Sequence, residues 1–132
     1  MTLVVVDTDG ISFLFKNHPV ASRYDHDVAG KVPLVSFMTV AELDRWGIER
    51  RWSPQRIGWL KTYLRRFTLV PSSPELCYRW AEVMVGAQAA GKRIDCADGW
   101  IAATVLLYDA PLITHNLTDY LGVPGLKLIS RR

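Results

Sequence analysis

The stretch VVVDTDGISFLF, Val4 to Phe15, decides how the rest of the chain is read. Its β-branched run stops at Asp7, and a second acid, Asp9, stands immediately before Gly10. A continuous apolar run this short reads as a strand buried on both faces, the mark of a parallel sheet. In an open parallel sheet the functional crevice lies beyond the carboxyl ends of the strands. Asp7 and Asp9 would stand at such an end, either as a phosphorus-attacking nucleophile with a proton-moving partner or as the first ligands of a metal-dependent nuclease.

Outward from this stretch, Pro33-Leu-Val-Ser-Phe37 reads as a second buried strand and Thr68-Leu-Val70 as a brief third. Pro111-Leu-Ile-Thr114 and Leu126-Lys-Leu-Ile129 complete the set. Helices fall between them. Thr39 is placed to cap a helix with Val40, Leu43 and Ile48 as its apolar stripe. Ser53-Pro54 is a helix start, a capping hydroxyl followed by proline at the first helical position. Ile57, Leu60, Leu64 and Phe67 then recur at helical spacing, which turns Arg56 and Arg65 outward. Leu76, Trp80, Val83, Met84 and Ala87 mark the next helix as core-facing, with Gly91 as its stop. Asp95 to Tyr108 is rich in small and apolar residues and reads as a central, buried helix. Strands alternating with helices imply a three-layer α/β/α sandwich around a parallel β-sheet.

At 132 residues, 49% of them hydrophobic, the chain can bury a real core as one domain spanning residues 1–132, without disulfides. No window approaches the roughly 18 uninterrupted apolar residues of a membrane span, and no secretory signal opens the chain, so a cytoplasmic protein is expected. The two cysteines, Cys77 and Cys96, then read as free thiols. Formal net charge is +3, unevenly spread. Arg45, Arg50, Arg51, Arg56, Lys61, Arg65 and Arg66 crowd the middle, which fits either a solvated helix face or contact with nucleic acid.

The acids lie toward the ends. Asp7 and Asp9 follow the first strand, Thr39 and Glu42 enter the first turn of the helix after the second, Asp95 and Asp98 open a later helix, and Asn116 and Asp119 follow the fourth strand. Each has a structural reading, because acids cap helices and favour the positive end of the helix dipole. Gathered in one crevice, however, they would repel and raise one another's pKa unless a cation were present. Oxygen ligands of this kind suit Mg²⁺ or Mn²⁺. Such an ion acidifies water and stabilises charge on a phosphoryl oxygen, which points to phosphodiester hydrolysis.

A haloacid-dehalogenase-type phosphatase using Asp7 is the competing enzyme. Ser36 could serve as its second element, but Ile11-Ser12 is a poor continuation of its first motif. Asp95 and Asp98 lack the preceding strand its late acid pair needs, and Glu42 and Asp119 would have no task. In its order of motifs the chain instead resembles the PIN domain, and specifically the VapC-type toxin ribonucleases of toxin–antitoxin pairs. The resemblance covers essentially the whole chain. It rests on VVVDTDGISFLF, on SFMTVAEL with Glu42, on DCADGWIAATVLLYDAPLITHNLTDY with Asp98, Asn116 and Asp119, and on the closing VPGLKLI. It implies an acidic site of Asp7, Glu42, Asp98 and Asp119 holding Mg²⁺ or Mn²⁺, with Thr8 and Asn116 as polar neighbours. It also implies cleavage of single-stranded or looped RNA, homodimers, and neutralisation by a cognate antitoxin protein. Asp9 departs from the family's usual Asn and would either reach metal or cap the first helix; Asp95 is likewise extra and reads as a cap. A non-catalytic RNA- or protein-binding PIN module is the alternative from another class.

Lys92, Arg93 and Arg45 are candidates to hold an RNA backbone, with surface solvation as the bland alternative. Trp46, Trp52 and Trp59 are expected in the core, a contact with a protein partner being the other reading. His18, His26 and His115 lack the spacing of zinc ligands. Cys96 opens a helix but has no paired base to make it a nucleophile.

Overall fold

The computed structural model of the chain describes residues 2–131. Strands β1 (Leu3–Val6), β2 (Val32–Ser36), β3 (Thr68–Val70), β4 (Leu112–Ile113) and β5 (Leu128–Ile129) form one sheet in the order β3-β2-β1-β4-β5. Every neighbouring pair is parallel; Leu3 lies opposite Val32 and Val6 opposite Ile113. The helices are α1 (Thr8–Phe15), α2 (Asp25–Val28), α3 (Phe37–Glu49), α4 (Pro54–Leu64), α5 (Pro74–Ala89) and α6 (Cys96–Tyr108), with 3₁₀ turns at Pro19–Tyr24 and Leu117–Tyr120. None of the described helices is long and apolar enough to cross a membrane.

Alternation along β1 divides the core. Val5 faces Leu76, Ile101, Ala102 and Val105 of α5 and α6, together with Leu34 and Leu112. Val4 and Val6 face the opposite side, where Ile11, Leu43 and Leu60 of α1, α3 and α4 pack with Val35 and Ile113. The sheet is therefore covered on both faces, as the unbroken apolar strands require. In α6 burial runs through Gly99 and Ile101 to Val105, so its composition was the correct guide to a central helix. Gly91 follows the end of α5 with φ +71°, a left-handed conformation that glycine adopts without a Cβ penalty.

Several expectations are corrected. The second strand stops at Ser36, and Phe37 already belongs to α3. Ser36, fully buried, caps that helix in place of Thr39: its Oγ accepts from the Met38 backbone N–H at 3.1 Å. Ile48 lies outside the apolar stripe at 78% exposure. Arg56 does not point into solvent. It lies half-buried, its guanidinium 4.7 Å from the ring centroid of Trp52 and 5.7 Å from that of Phe15, because a long arginine stem covers apolar surface while its planar head stacks on rings. Trp46 and Trp52 do pack against the core, whereas Trp59 is 59% exposed. The 3₁₀ turn at Pro19–Tyr24 and the four-residue α2 had no counterpart in the periodic pattern, being too short and polar to show one.

Removing the buried cap makes a direct test of the corrected boundary. Ser36→Ala should destabilise the fold by about 1–2 kcal/mol, read as a lower urea midpoint at unchanged slope, while a cap role for Thr39 would leave that variant near wild type.

Candidate active site

The strand order reverses at β1: the chain moves out to β2 and β3 on one side, then returns to β4 and β5 on the other. The crevice of a parallel sheet forms at such a switch point, here beyond the carboxyl ends of β1 and β4. Asp7 stands there as the residue after β1. It is the N-cap of α1, and its Oδ1 accepts from the Gly10 backbone N–H at 2.8 Å. Gly10 is required by this close approach, since a Cβ at that position would lie 2.8 Å from Val6 Cγ1 and 3.1 Å from Asp7 Oδ1. The Asp7 backbone N–H donates to Ile113 O at 3.2 Å, which fixes the residue across the β1–β4 boundary.

The other predicted residues come in from separate elements. Thr8 Oγ donates to Glu42 Oε1 at 2.6 Å and lies 3.0 Å from Thr39 Oγ, so α1 and α3 are tied together at the crevice. The hydroxyl of Thr8 has one proton, spent on the carboxylate; Thr39 therefore donates to Thr8. Asp98 sits in the first turn of α6, and Asp119 in the 3₁₀ turn after β4. Asn116 Nδ2 donates to Asp9 Oδ2 at 2.7 Å. Asp9 thus does not cap α1. Asp95 occupies the N-cap position of α6 but makes no side-chain cap bond, a further correction.

Electrostatics tie these acids into one group. Burial pushes the Asp98 carboxyl up to about 7, and the charges of Asp119, Glu42, Asp7 and Asp95 push it the same way. Asp7 is pushed up to about 6, chiefly by burial, with Asp9 adding to the rise and bonds from Thr114, Gly10 and Tyr120 opposing it. Asp119 is raised by burial and by Asp9 and Asp95. Tyr120, whose hydroxyl donates to Asp7 Oδ2 at 3.4 Å, is held neutral by burial among the same acids. The charges that act most strongly on Asp98 all belong to acids. Among the described residues, however, no three His, Cys, Asp or Glu side chains are drawn together into a group that could hold a metal ion. The acids share one field and one sheet edge without closing into a ligand shell. In donor chemistry alone, an all-oxygen set with uncompensated negative charge is of the kind that suits a hard divalent cation such as Mg²⁺ or Mn²⁺.

Tyr120 and Thr114 were not singled out from the sequence. Neither residue type carries a signal of its own, and only their positions beside Asp119 and at the end of β4 place them near the acids. The basic candidates stand apart from these bonds. Lys92 and Arg93 are exposed on the turn between α5 and α6, and Arg45 is exposed and ion-paired with Glu49. Both cysteines are free and exposed, and His115 is bonded through Nδ1 to the Tyr24 hydroxyl at 2.8 Å.

A family model of the PIN domain matches residues 4–118, and the chain belongs to that family. Within it, the chain is similar to Ribonuclease VapC4 of Mycobacterium tuberculosis, 31% identical over 114 residues that cover 83% of this chain and 86% of the relative. It is also similar to Ribonuclease VapC1 of Haemophilus influenzae, 26% identical over 127 residues covering 95% of both. Among solved structures, VapBC-1 from nontypeable Haemophilus influenzae aligns with a TM-score of 0.83 at 25% identity over 98% of each chain. VapBC2 from Rickettsia felis, bound to a DNA fragment from their promoter, aligns at 0.87 with 19% identity, over 99% of this chain and 100% of that one, which speaks to the fold alone.

The raised Asp98 carboxyl has a stability consequence. Its folded-state pKa lies above the unfolded value, so its contribution is fully present below about pH 4 and is lost as pH rises through about 7. Without divalent ions, Asp98→Asn should therefore stabilise the fold at pH 8, with solvent screening of the partly open group holding the gain to about 1–2 kcal/mol. The difference from wild type should close at pH 4. Urea titrations at the two pH values measure it, and equal stability at pH 8 would show that the acids do not crowd.

Proposed function

We propose that this chain is a metal-dependent endoribonuclease, the toxin of a toxin–antitoxin pair. The observation that carries the reading is the crowding on Asp98 of acids from the end of β1, from α3 and from the turn after β4, a concentration of negative charge that costs stability unless a cation offsets it. Membership of the PIN family and similarity to proteins named as VapC ribonucleases support it. They leave the phosphatase reading of Asp7 without support.

Asp7, Glu42, Asp98 and Asp119 would hold Mg²⁺ or Mn²⁺. When bound, the ion supplies Lewis acidity, acidifying water and stabilising negative charge on a phosphoryl oxygen. The chain's own residues prepare that chemistry. Thr8 orients the Glu42 carboxylate through its 2.6 Å bond, and Gly10 and Tyr120 hold the two oxygens of Asp7. Burial of Asp7 keeps water from competing for its carboxylate. The substrate of this reading is RNA, cut by hydrolysis of a phosphodiester. The partner in this reading is a cognate antitoxin, in keeping with the VapBC structures that share this fold. A homodimer is the working form that the family resemblance implies.

Purified chain incubated with single-stranded RNA and Mn²⁺ or Mg²⁺ should cleave it, and chelation should stop cleavage. Asp7→Asn and Asp98→Asn should each lower kcat/KM by on the order of 100-fold or more, the scale of losing a charge-positioning group at a metal-assisted centre. Full activity in both variants, or cleavage indifferent to chelator, would remove the proposal. The Asp98 variant makes the sharper case, being expected to gain metal-free stability while it loses activity.

A further inference from the structure

The turn that carries Asp119 has little holding it from within. Leu117–Tyr120 is a single 3₁₀ turn; Leu117 is 37% exposed, Asp119 is exposed, and Asn116 before it makes no side-chain cap bond. Its anchors come from elsewhere in the chain. The Asn116 backbone N–H donates to Thr114 Oγ at 3.1 Å, and its side-chain amide donates to Asp9 Oδ2 at 2.7 Å across 107 residues of sequence. The Asn116 carbonyl in turn accepts from the Asp119 backbone N–H at 3.1 Å. One residue thus links the first turn of α1 to the backbone of Asp119.

We propose that Asp9 is a positioning residue: its carboxylate grips Asn116 and so sets the turn bearing Asp119 opposite Asp7, rather than serving as a metal ligand. This rests on the functional reading above only in naming Asp7 and Asp119 as the residues positioned. The geometry favours the assignment. Asp9 Oδ2 is engaged by a side-chain amide at 2.7 Å, a short bond of the charge-assisted kind, whereas the cap of α1 is already supplied by Asp7. A carboxylate committed to an amide donor keeps its orientation without a cation present. Tyr120, buried in the core and bonded to Asp7, anchors the far end of the turn, so the grip on Asn116 governs its exposed first half, Leu117 to Asp119, where local opening costs little.

Two substitutions separate the roles. Asp9→Ala removes the acceptor. Asp9→Asn removes the charge but keeps an oxygen that can accept from Asn116. Hydrogen exchange of the amides of residues 115–120, measured without metal or RNA, should be roughly tenfold faster in Asp9→Ala and near wild type in Asp9→Asn. Asn116→Ala should match Asp9→Ala, and the double variant should be no worse than either single one. Mn²⁺ affinity, read by calorimetry, should fall about tenfold in Asp9→Ala and stay within about threefold in Asp9→Asn, on the scale of outer-shell partners. Unchanged exchange in Asp9→Ala would overturn the proposal, as would an equal loss of Mn²⁺ affinity in both variants, which would make Asp9 a ligand. If the wild-type chain bound no Mn²⁺, the ribonuclease reading would fail, and the exchange rates alone would still decide the role of Asp9.

Discussion

A parallel sheet delivers all its strand ends to one edge, and in this protein that edge receives acids from α1, α3, α6 and the turn after β4. Their mutual repulsion is the constraint around which the site is built. Burial alone would raise Asp7 and Asp98; the added fields of Asp9, Glu42, Asp95 and Asp119 raise them further. A fold selected for stability alone would disperse such charges or pair them with lysine and arginine. The chain has the cations to do so, and deploys them along α4 and at the end of α3, where Lys61 pairs with Asp44 at 2.5 Å and Arg50, the C-cap of α3, lies 4.8 Å over the ring of Trp46. Charge separation of this kind leaves an acidic crevice beside a basic helical flank.

The crevice is held open by neutral donors instead of by counter-ions. Thr8 and Thr39 support Glu42, Tyr120 and the Gly10 amide support Asp7, and Asn116 supports Asp9. Neutral hydrogen bonds orient a carboxylate without neutralising it, so the negative field survives for a cation to use. Behind them lies a stiff base. Gly99 in the first turn of α6 abuts Trp80 and Met84; a Cβ there would lie 2.6 Å from the Met84 sulfur and 3.1 Å from Trp80 Nε1, so Met84 would have to shift. Trp80 stacks on Trp100 with ring centroids 4.9 Å apart, and Phe37 meets Trp100 edge-on at 5.3 Å. Asp98 is therefore carried by a helix end wedged among aromatic rings, and its position follows from packing.

Much of this was legible in the residues. The unbroken apolar strands announced a sheet covered on both faces, Ser53-Pro54 and Gly91 marked helix ends that the structure places there, and the small-residue run of α6 announced a buried helix. The errors share one cause. Thr39 against Ser36, Asp95 as a cap, Arg56 as an outward charge and Ile48 as a core residue were all decided by side-chain chemistry that local spacing does not encode. Ser36 could take the cap because β2 turns into α3 without a loop, which freed Thr39 for the Thr8 hydroxyl. Arg56 turned inward because Trp52 and Phe15, from other segments, offered ring faces.

The sequence by itself determined the parallel α/β sandwich and which acids stand near strand and helix ends, because hydrophobic period and strand-end position are local properties of the chain. Tertiary structure alone decided how those acids act on one another and which neutral groups hold them. Bonds such as Asn116 to Asp9 and Tyr120 to Asp7 join residues more than a hundred positions apart. No local pattern can specify such a bond, since its partners become neighbours only when β1 and β4 lie side by side.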